Sequence, residues 1–351
     1  MLKGIYDEAQ TLYGNPDRTF PILGQLRTKL LRVNLYWGGE FGVATGRRPL
    51  TPRDPDDPAY DWAIYDRTAR YAQQYGIRLV FSIWGTPGWA NRFRGLRSAP
   101  TKATDLQNFA FAAARRYGGR WIDLDGRGVP RVDHWLAWNE PNNPAFLSPQ
   151  YRLVRGKAVI WSAREYAKIC NAVVRGVKAV RVRSQKVACG VTGPRGNNNP
   201  RSVRASVSPL AFLRAMKAAG AKGFDAYAHH PYYGRPAETP RTRPAKKSTA
   251  IVLGNIDVLV KEVTRLYGRK PIWITEYGYQ TNPPDRLFGV SNRNQARYMA
   301  QAYAIAKRNP RIQMFLWFLL RDEPRLGGWQ SGLYTASGRK KPAFNTFRSL
   351  R

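Results

Sequence analysis

Cysteine is nearly absent from this 351-residue chain: Cys170 and Cys189 are its only two. Two thiols at that spacing make neither a disulfide framework nor a zinc site. Both read as buried free thiols, with a single bridge between them as the alternative. Histidine is scarce too, three in all, which argues against a metal centre. Acids are few, with 23 Asp and Glu against 58 Lys and Arg, for a formal charge of +35. A field of that sign attracts polyanions in general, whether nucleic acid, anionic surfaces or acidic polysaccharides, and does not choose among them. No run approaches the roughly 18 uninterrupted apolar residues of a membrane span. No GxGxxG follows a strand and there is no Walker sequence, which argues against a nucleotide-binding open sheet. No Ser/Gly linker, composition shift or internal repeat divides the chain, so residues 1–351 are expected to form one domain.

The amino terminus lacks the charged, apolar and small-residue regions of a secretory signal. It begins MLKGIYDEAQ, which reads as a strand and its polar exit with no lead-in. Met1 therefore need not be the natural start, and a signal peptide would lie upstream of it. An extracellular or cell-wall location is expected, with the cytoplasm as the alternative.

What is present is alternation. Short β-branched or aromatic runs are followed by stretches of helical period, the pattern of parallel βαβ units. Strands are expected at 3–6, 30–37, 77–84, 132–138, 186–192, 224–230, 271–277 and 312–320. Helices are expected at 60–76, 105–117, 163–182, 209–219, 251–267, 294–308 and 343–350. Eight strands with intervening helices predict an α/β fold, a closed (β/α)8 TIM barrel. The irregular segments 87–103, 142–162, 194–208, 232–248 and 282–292 each follow the carboxyl end of a strand, the face on which barrels build their sites.

Two acids stand out because each ends an apolar run in which a charge is costly. Glu140 closes the fourth strand in WLAWNEPNN and Glu276 closes the seventh in PIWITEYGYQT. Asn-Glu-Pro after a fourth strand, paired with an apolar strand ending Thr-Glu-Tyr-Gly after a seventh, resembles the clan A glycoside hydrolases. The likeness is to the cellulase-like family five and its relatives, family thirty-nine among them, and it runs over nearly the whole chain.

The resemblance implies a retaining hydrolase of β-glycosidic bonds, with Glu140 as general acid/base, Glu276 as nucleophile and no cofactor. Asn139 would bond the sugar 2-hydroxyl; the alternative is a turn or helix-capping residue. Arg32, between Leu31 and Val33, would sit beside the nucleophile; the alternative is a surface arginine. His230 and Tyr232 of AHHPYY would orient the acid and donate to the nucleophile, with His229 replacing His230 if the register slips by one. Trp317 would floor the cleaved sugar, and Trp84 and Trp37 would line further subsites unless they fill the core.

The expected partner is an oligo- or polysaccharide, anionic if the Arg- and Lys-rich loops of that face meet it, and the chain is expected to be a monomer without a specific nucleic-acid ligand. The rival readings are a catalytically weak carbohydrate-binding barrel and a binder of polyanions or nucleic acid.

Overall fold

The computed structural model describes residues 1–351. Eight parallel strands close into a barrel: β1 (Leu2–Tyr6), β2 (Leu30–Tyr36), β3 (Arg78–Trp84), β4 (His134–Ala137), β5 (Lys186–Thr192), β6 (Ala226–His229), β7 (Ile272–Tyr277) and β8 (Ile312–Phe318). They follow one another round the ring in chain order, and β1 pairs with β8 to shut it, Leu2 opposite Met314 and Tyr6 opposite Phe318.

Period-two alternation sorts the side chains into two layers. Leu30, Val80, Leu136, Ala188, Trp273 and Leu316 fill the barrel interior. Leu31, Val33, Phe81, Ile274 and Phe315 face outward and pack under the helices. The barrel is thus a packed core whose strand ends carry the loops.

Two elements lie where the sequence shows only connections. A helix, Pro16–Gln25, fills the gap between β1 and β2 despite Pro21 in its interior. Its start is conventional: Asn15 accepts from the Asp17 amide and Pro16 takes the first turn, where a missing N–H costs nothing. A hairpin, Tyr151–Val154 with Lys157–Ile160, stands on the loop after β4. Its two-residue turn holds Arg155 at φ +50° and Gly156 at φ +72°, the twist that antiparallel ribbons favour.

The cysteine expectation is corrected. Cys170 and Cys189 form a disulfide, their Cα atoms 5.9 Å apart. The helix Trp161–Ala179 returns across the outer face of the sheet, and β5 then runs beneath it, so the crossover brings a helix residue over a strand residue. Removing a cross-link across a 19-residue separation is expected to cost about 3 kcal/mol. Urea unfolding of a Cys170→Ala/Cys189→Ala variant measures this, and an unchanged midpoint would contradict the bridge.

Candidate active site

Two irregularities in the sheet set the site. Along β7 and β8, Phe315 pairs with Ile274 but Trp317 pairs with Tyr277, so β7 carries one extra residue. Ile274 and Tyr277 stay on the outer face, and Thr275 and Glu276 both turn inward. A similar shift between β5 and β6 pairs Gly190 with Ala228 and Thr192 with His229. Strained backbone gathers at the same end: Trp138, Glu140, Val191 and Leu319 all have positive φ. Such residues persist only where surrounding contacts hold them, as they do around functional sites.

Arg32 is the hub. It projects inward from β2 with no exposed surface, stacked 4.4 Å from the Tyr6 ring. Its Nη1 donates to Glu276 Oε1 at 2.6 Å, and its Nη2 donates to Asn139 Oδ1 at 2.7 Å. Burial works against this cation, but the charge of Glu276 together with Tyr6, Glu8 and Tyr232 more than offsets it and holds the guanidinium above its usual pKa. The second carboxylate oxygen, Glu276 Oε2, accepts from the Tyr232 hydroxyl at 3.0 Å. Burial first, and then the charge of Glu276, push that phenol well above its ordinary range, so it remains a donor.

His230 bridges the two acids. Its Nε2 lies 3.2 Å from Arg32 Nη1 and 2.9 Å from Thr275 Oγ1, and its Nδ1 lies 2.9 Å from Glu140 Oε1. A guanidinium can only donate, so Nε2 accepts and Nδ1 carries the proton toward Glu140. Burial drives the imidazole down to about 3, which keeps it neutral. His229 occupies a different place, with Nδ1 2.8 Å from Thr192 Oγ1 and Nε2 3.0 Å from Ile251 O. The histidine at the site is therefore His230.

Glu140 has an apolar setting by comparison. Burial raises its pKa above the usual carboxylate value, opposed chiefly by the Asn143 amide, which donates to Oε2 at 3.2 Å. Gly193 allows the carboxyl to lie there, because a Cβ at that position would sit 2.9 Å from Oε2. Asn142 pins the two loops together, accepting from the Gly193 amide and donating to the Val207 carbonyl.

One liganding atom each from Glu140, His230 and Glu276 all lie within 4.8 Å of one another. By distance alone the three could hold a metal ion. The buried Arg32 guanidinium already supplies the positive charge at Glu276 and would repel a dication.

The structure thus brings together Glu140, Glu276, Asn139, Arg32, His230 and Tyr232. It treats the three tryptophans differently. Trp84 points inward from the end of β3 and is half-buried beside Tyr36, their rings edge-on at 5.5 Å. Trp317 and Trp37 are corrections: neither has any exposed surface. Trp317 sits on the outer face of β8 and donates to Ser331 O at 2.8 Å, while Trp37 lies between Trp89 and Phe109 beneath the helices. The aromatic wall is instead built by Phe318, the inward residue after Trp317, and by Trp329 from the loop after β8. Trp329 is 36% exposed, with its ring 5.2 Å from Tyr232.

Asn34, Tyr36 and Glu8 also belong to the site. The Tyr36 hydroxyl donates to Glu8 Oε2 at 2.8 Å, and Asn34 joins Tyr6, Tyr36 and Arg32. Alternation along β2, with Arg32, Asn34 and Tyr36 at every second position, is the sequence signal that could have found Asn34 and Tyr36.

Among solved structures, this chain is similar to a family 39 glycoside hydrolase from Bacteroides cellulosilyticus WH2, at 17% identity and a TM-score of 0.68, covering 99% of this chain and 62% of that one. It is also similar to a glucosidase from Croceicoccus marinus, at 14% identity and a TM-score of 0.67, covering 98% and 64%. A monomeric beta-xylosidase from Caulobacter crescentus CB15 matches at 17% identity and a TM-score of 0.63, covering 99% and 66%. The chain therefore spans less than two thirds of the length of these structures. At these identities the likeness is one of fold, the closed eight-stranded (β/α)8 barrel. No curated protein matches the sequence. Residues 110–351 match the model of a family of unknown function, DUF5722, and the chain belongs to that family.

Proposed function

We propose that residues 1–351 are a retaining hydrolase of β-glycosidic bonds in an oligo- or polysaccharide, with Glu276 as nucleophile and Glu140 as general acid/base. The observation that carries this reading is the pair of strand-end carboxyls, close together and differently furnished. Their selected oxygens lie within the 4.8 Å cluster, which suits the roughly 5–5.5 Å separation of retaining enzymes and not the 6.5–9.5 Å that leaves room for a water. Arg32 and Tyr232 both donate to Glu276, one to each carboxylate oxygen, and hold it in place. Glu140 has its pKa raised by burial, as an acid requires.

In the first step a Glu276 oxygen bonds to the anomeric carbon as the bond to the leaving oxygen breaks, and Glu140 delivers a proton to that oxygen. The proton is placed on Glu140 Oε2, because the His230 Nδ1–H contact to Oε1, at 2.9 Å, is the shorter of the two bonds the carboxyl accepts and the Asn143 contact to Oε2, at 3.2 Å, competes less. Asn139 accepts from Arg32 through its oxygen, which leaves its Nδ2 free to donate to the sugar 2-hydroxyl. In the second step Glu140, now a carboxylate, takes a proton from water, and the water oxygen displaces Glu276 from the sugar. Trp329, Phe318 and Trp84 supply the apolar faces against which sugar rings pack.

A location outside the cytoplasm agrees with the Cys170–Cys189 bridge, since disulfides persist in oxidising compartments.

Release of nitrophenol from a panel of aryl β-glycosides, with β-linked polysaccharides alongside, tests the proposal. Turnover abolished by Glu276→Gln is the expected result; no cleavage of any member by the wild type would overturn it. The pH profile adds a second check. Glu140 must be protonated in the free enzyme, so kcat/KM falls as pH rises through its elevated pKa. Asn143 favours the ionised form, so Asn143→Ala is expected to move that limb to higher pH. A shift to lower pH would contradict the assignment of Glu140 as the acid.

A further inference from the structure

An open cavity of about 780 Å³ adjoins the acid side of the site, and no carboxylate lines it. Its wall carries Arg97 from the loop after β3, Asn143 from the loop after β4, and Arg195 and Arg204 from the loop after β5. Two loops thus bring three arginines to one wall, and the Arg195 guanidinium is held there by the Tyr232 and Tyr233 carbonyls. Only Arg195 among them has a carboxylate within reach, Glu238 Oε2 at 3.7 Å, and that pair leaves the arginine 42% exposed. Arg97 and Arg204 are exposed. Elsewhere the few acids pair with a minority of the cations, as at Arg70 with Asp123, Arg116 with Asp66 and Arg214 with Glu262.

The wall is fixed in place. Asn197 accepts from the Ser206 and Asn199 amides, each at 3.1 Å, and donates to Arg204 O at 3.0 Å. Asn142 fastens the same loop beside Glu140. Asn143 connects the cavity to the chemistry, because its Nδ2 contacts Glu140 Oε2. That is the oxygen not bonded to His230, and the one on which the hydrolase reading places the proton.

We propose that this cavity is a leaving-group subsite for a sugar bearing an oxyanion, a uronate carboxylate or a sulfate ester, held by Arg97, Arg195 and Arg204. The subsite's place in catalysis rests on the hydrolase reading; its ligand chemistry does not. Guanidinium groups bind both anions through paired, charge-assisted hydrogen bonds, and a concave wall of one sign focuses the field on them. With no carboxylate in the lining, an incoming anion meets no repulsion, and it relieves the mutual repulsion of the arginines.

The test is calorimetric binding of hexagalacturonate, its fully methyl-esterified neutral form and a chondroitin-sulfate hexasaccharide, at physiological salt, where diffuse attraction is screened. Three proteins are compared: the wild type, Arg97→Ala/Arg204→Ala, and Arg18→Ala/Arg308→Ala, which removes the same charge at exposed positions away from the cavity. The wild type is expected to prefer an acidic oligosaccharide over the neutral form by at least tenfold. Arg97→Ala/Arg204→Ala is expected to lose that preference, and the control pair to keep it. Whether the carboxylated or the sulfated ligand carries the Arg97- and Arg204-dependent binding names the group. Equal loss in both variant pairs, or no loss in either, overturns the proposal. Aryl β-glycoside turnover is read separately, so failure of the hydrolase reading shows there and failure of the subsite shows in the binding.

Discussion

Glu276→Gln is expected to lower kcat on aryl β-glycosides by on the order of 10⁴-fold or more, the scale seen when an enzyme loses its nucleophile, while the barrel stays folded. The two parts of that expectation have separate physical grounds. An amide cannot form the glycosyl ester, so the double displacement has no first step. The hydrogen bonds, by contrast, can largely be kept: the amide oxygen can accept from Arg32, and the Tyr232 hydroxyl can turn round to accept from the amide NH₂. The readout is single-substrate kinetics beside a circular dichroism melt. Activity within tenfold of wild type would mean that another group attacks the sugar.

Arg32→Met is expected to act on stability as much as on turnover. The guanidinium is fully buried, and it donates to Glu276, to Asn139 and, at 3.3 Å, to the Thr275 carbonyl. Methionine fills a similar volume with none of those donors. It leaves Glu276, itself only 7% exposed, as a charge whose remaining hydrogen-bond donor is Tyr232. Breaking a buried ion pair by removing one partner costs about 3–5 kcal/mol, a large fraction of the roughly 5–15 kcal/mol that stabilises a typical domain. Urea unfolding reads this directly, and a loss under about 1 kcal/mol would mean that Arg32 is not held in a buried ion pair. Arg32→Lys is expected to recover only part of the loss, because one ammonium cannot span Glu276 and Asn139 as the planar fork does.

The fold and the centre of the site were legible for a common reason: a polar residue inside an apolar strand has to be there for a partner. Arg32 between Leu31 and Val33, Glu140 after WLAWN and Glu276 after PIWIT are all conspicuous on that ground, and in the structure they lie in one hydrogen-bonded group. The tryptophans were not legible in the same way. In IQMFLWFLL every residue but Gln313 is apolar, so composition does not separate the interior face, with Met314 and Leu316, from the outer face, with Phe315 and Trp317. Trp37 could have been placed, since it continues the outward series Leu31, Val33 and Leu35, opposite in parity to Arg32 and Asn34.

Register was the other obstacle. The extra residue of β7 turns Thr275 and Glu276 to the same side, and strict alternation cannot anticipate two neighbours facing one way. The disulfide was hidden because 19 residues of sequence separate its cysteines, and only the return of the crossover helix over β5 brings them together. Trp329, Asn143 and the arginines of the cavity lie on loops, where no periodicity marks the direction of a side chain.

The measurement that most directly tests the two-carboxylate mechanism is the product formed by Glu140→Ala from an activated aryl β-glycoside in the presence of azide. With the acid/base gone, a good leaving group still departs and the glycosyl ester on Glu276 accumulates. Azide needs no proton removed, so it attacks the ester from the face vacated by the leaving group. Restored turnover giving a β-glycosyl azide is the predicted result. An α-glycosyl azide would mean a single displacement by azide in the place of Glu140, with Glu140 as the nucleophile, and Glu140→Ala turnover as fast as wild type without azide would mean that Glu140 is not the acid.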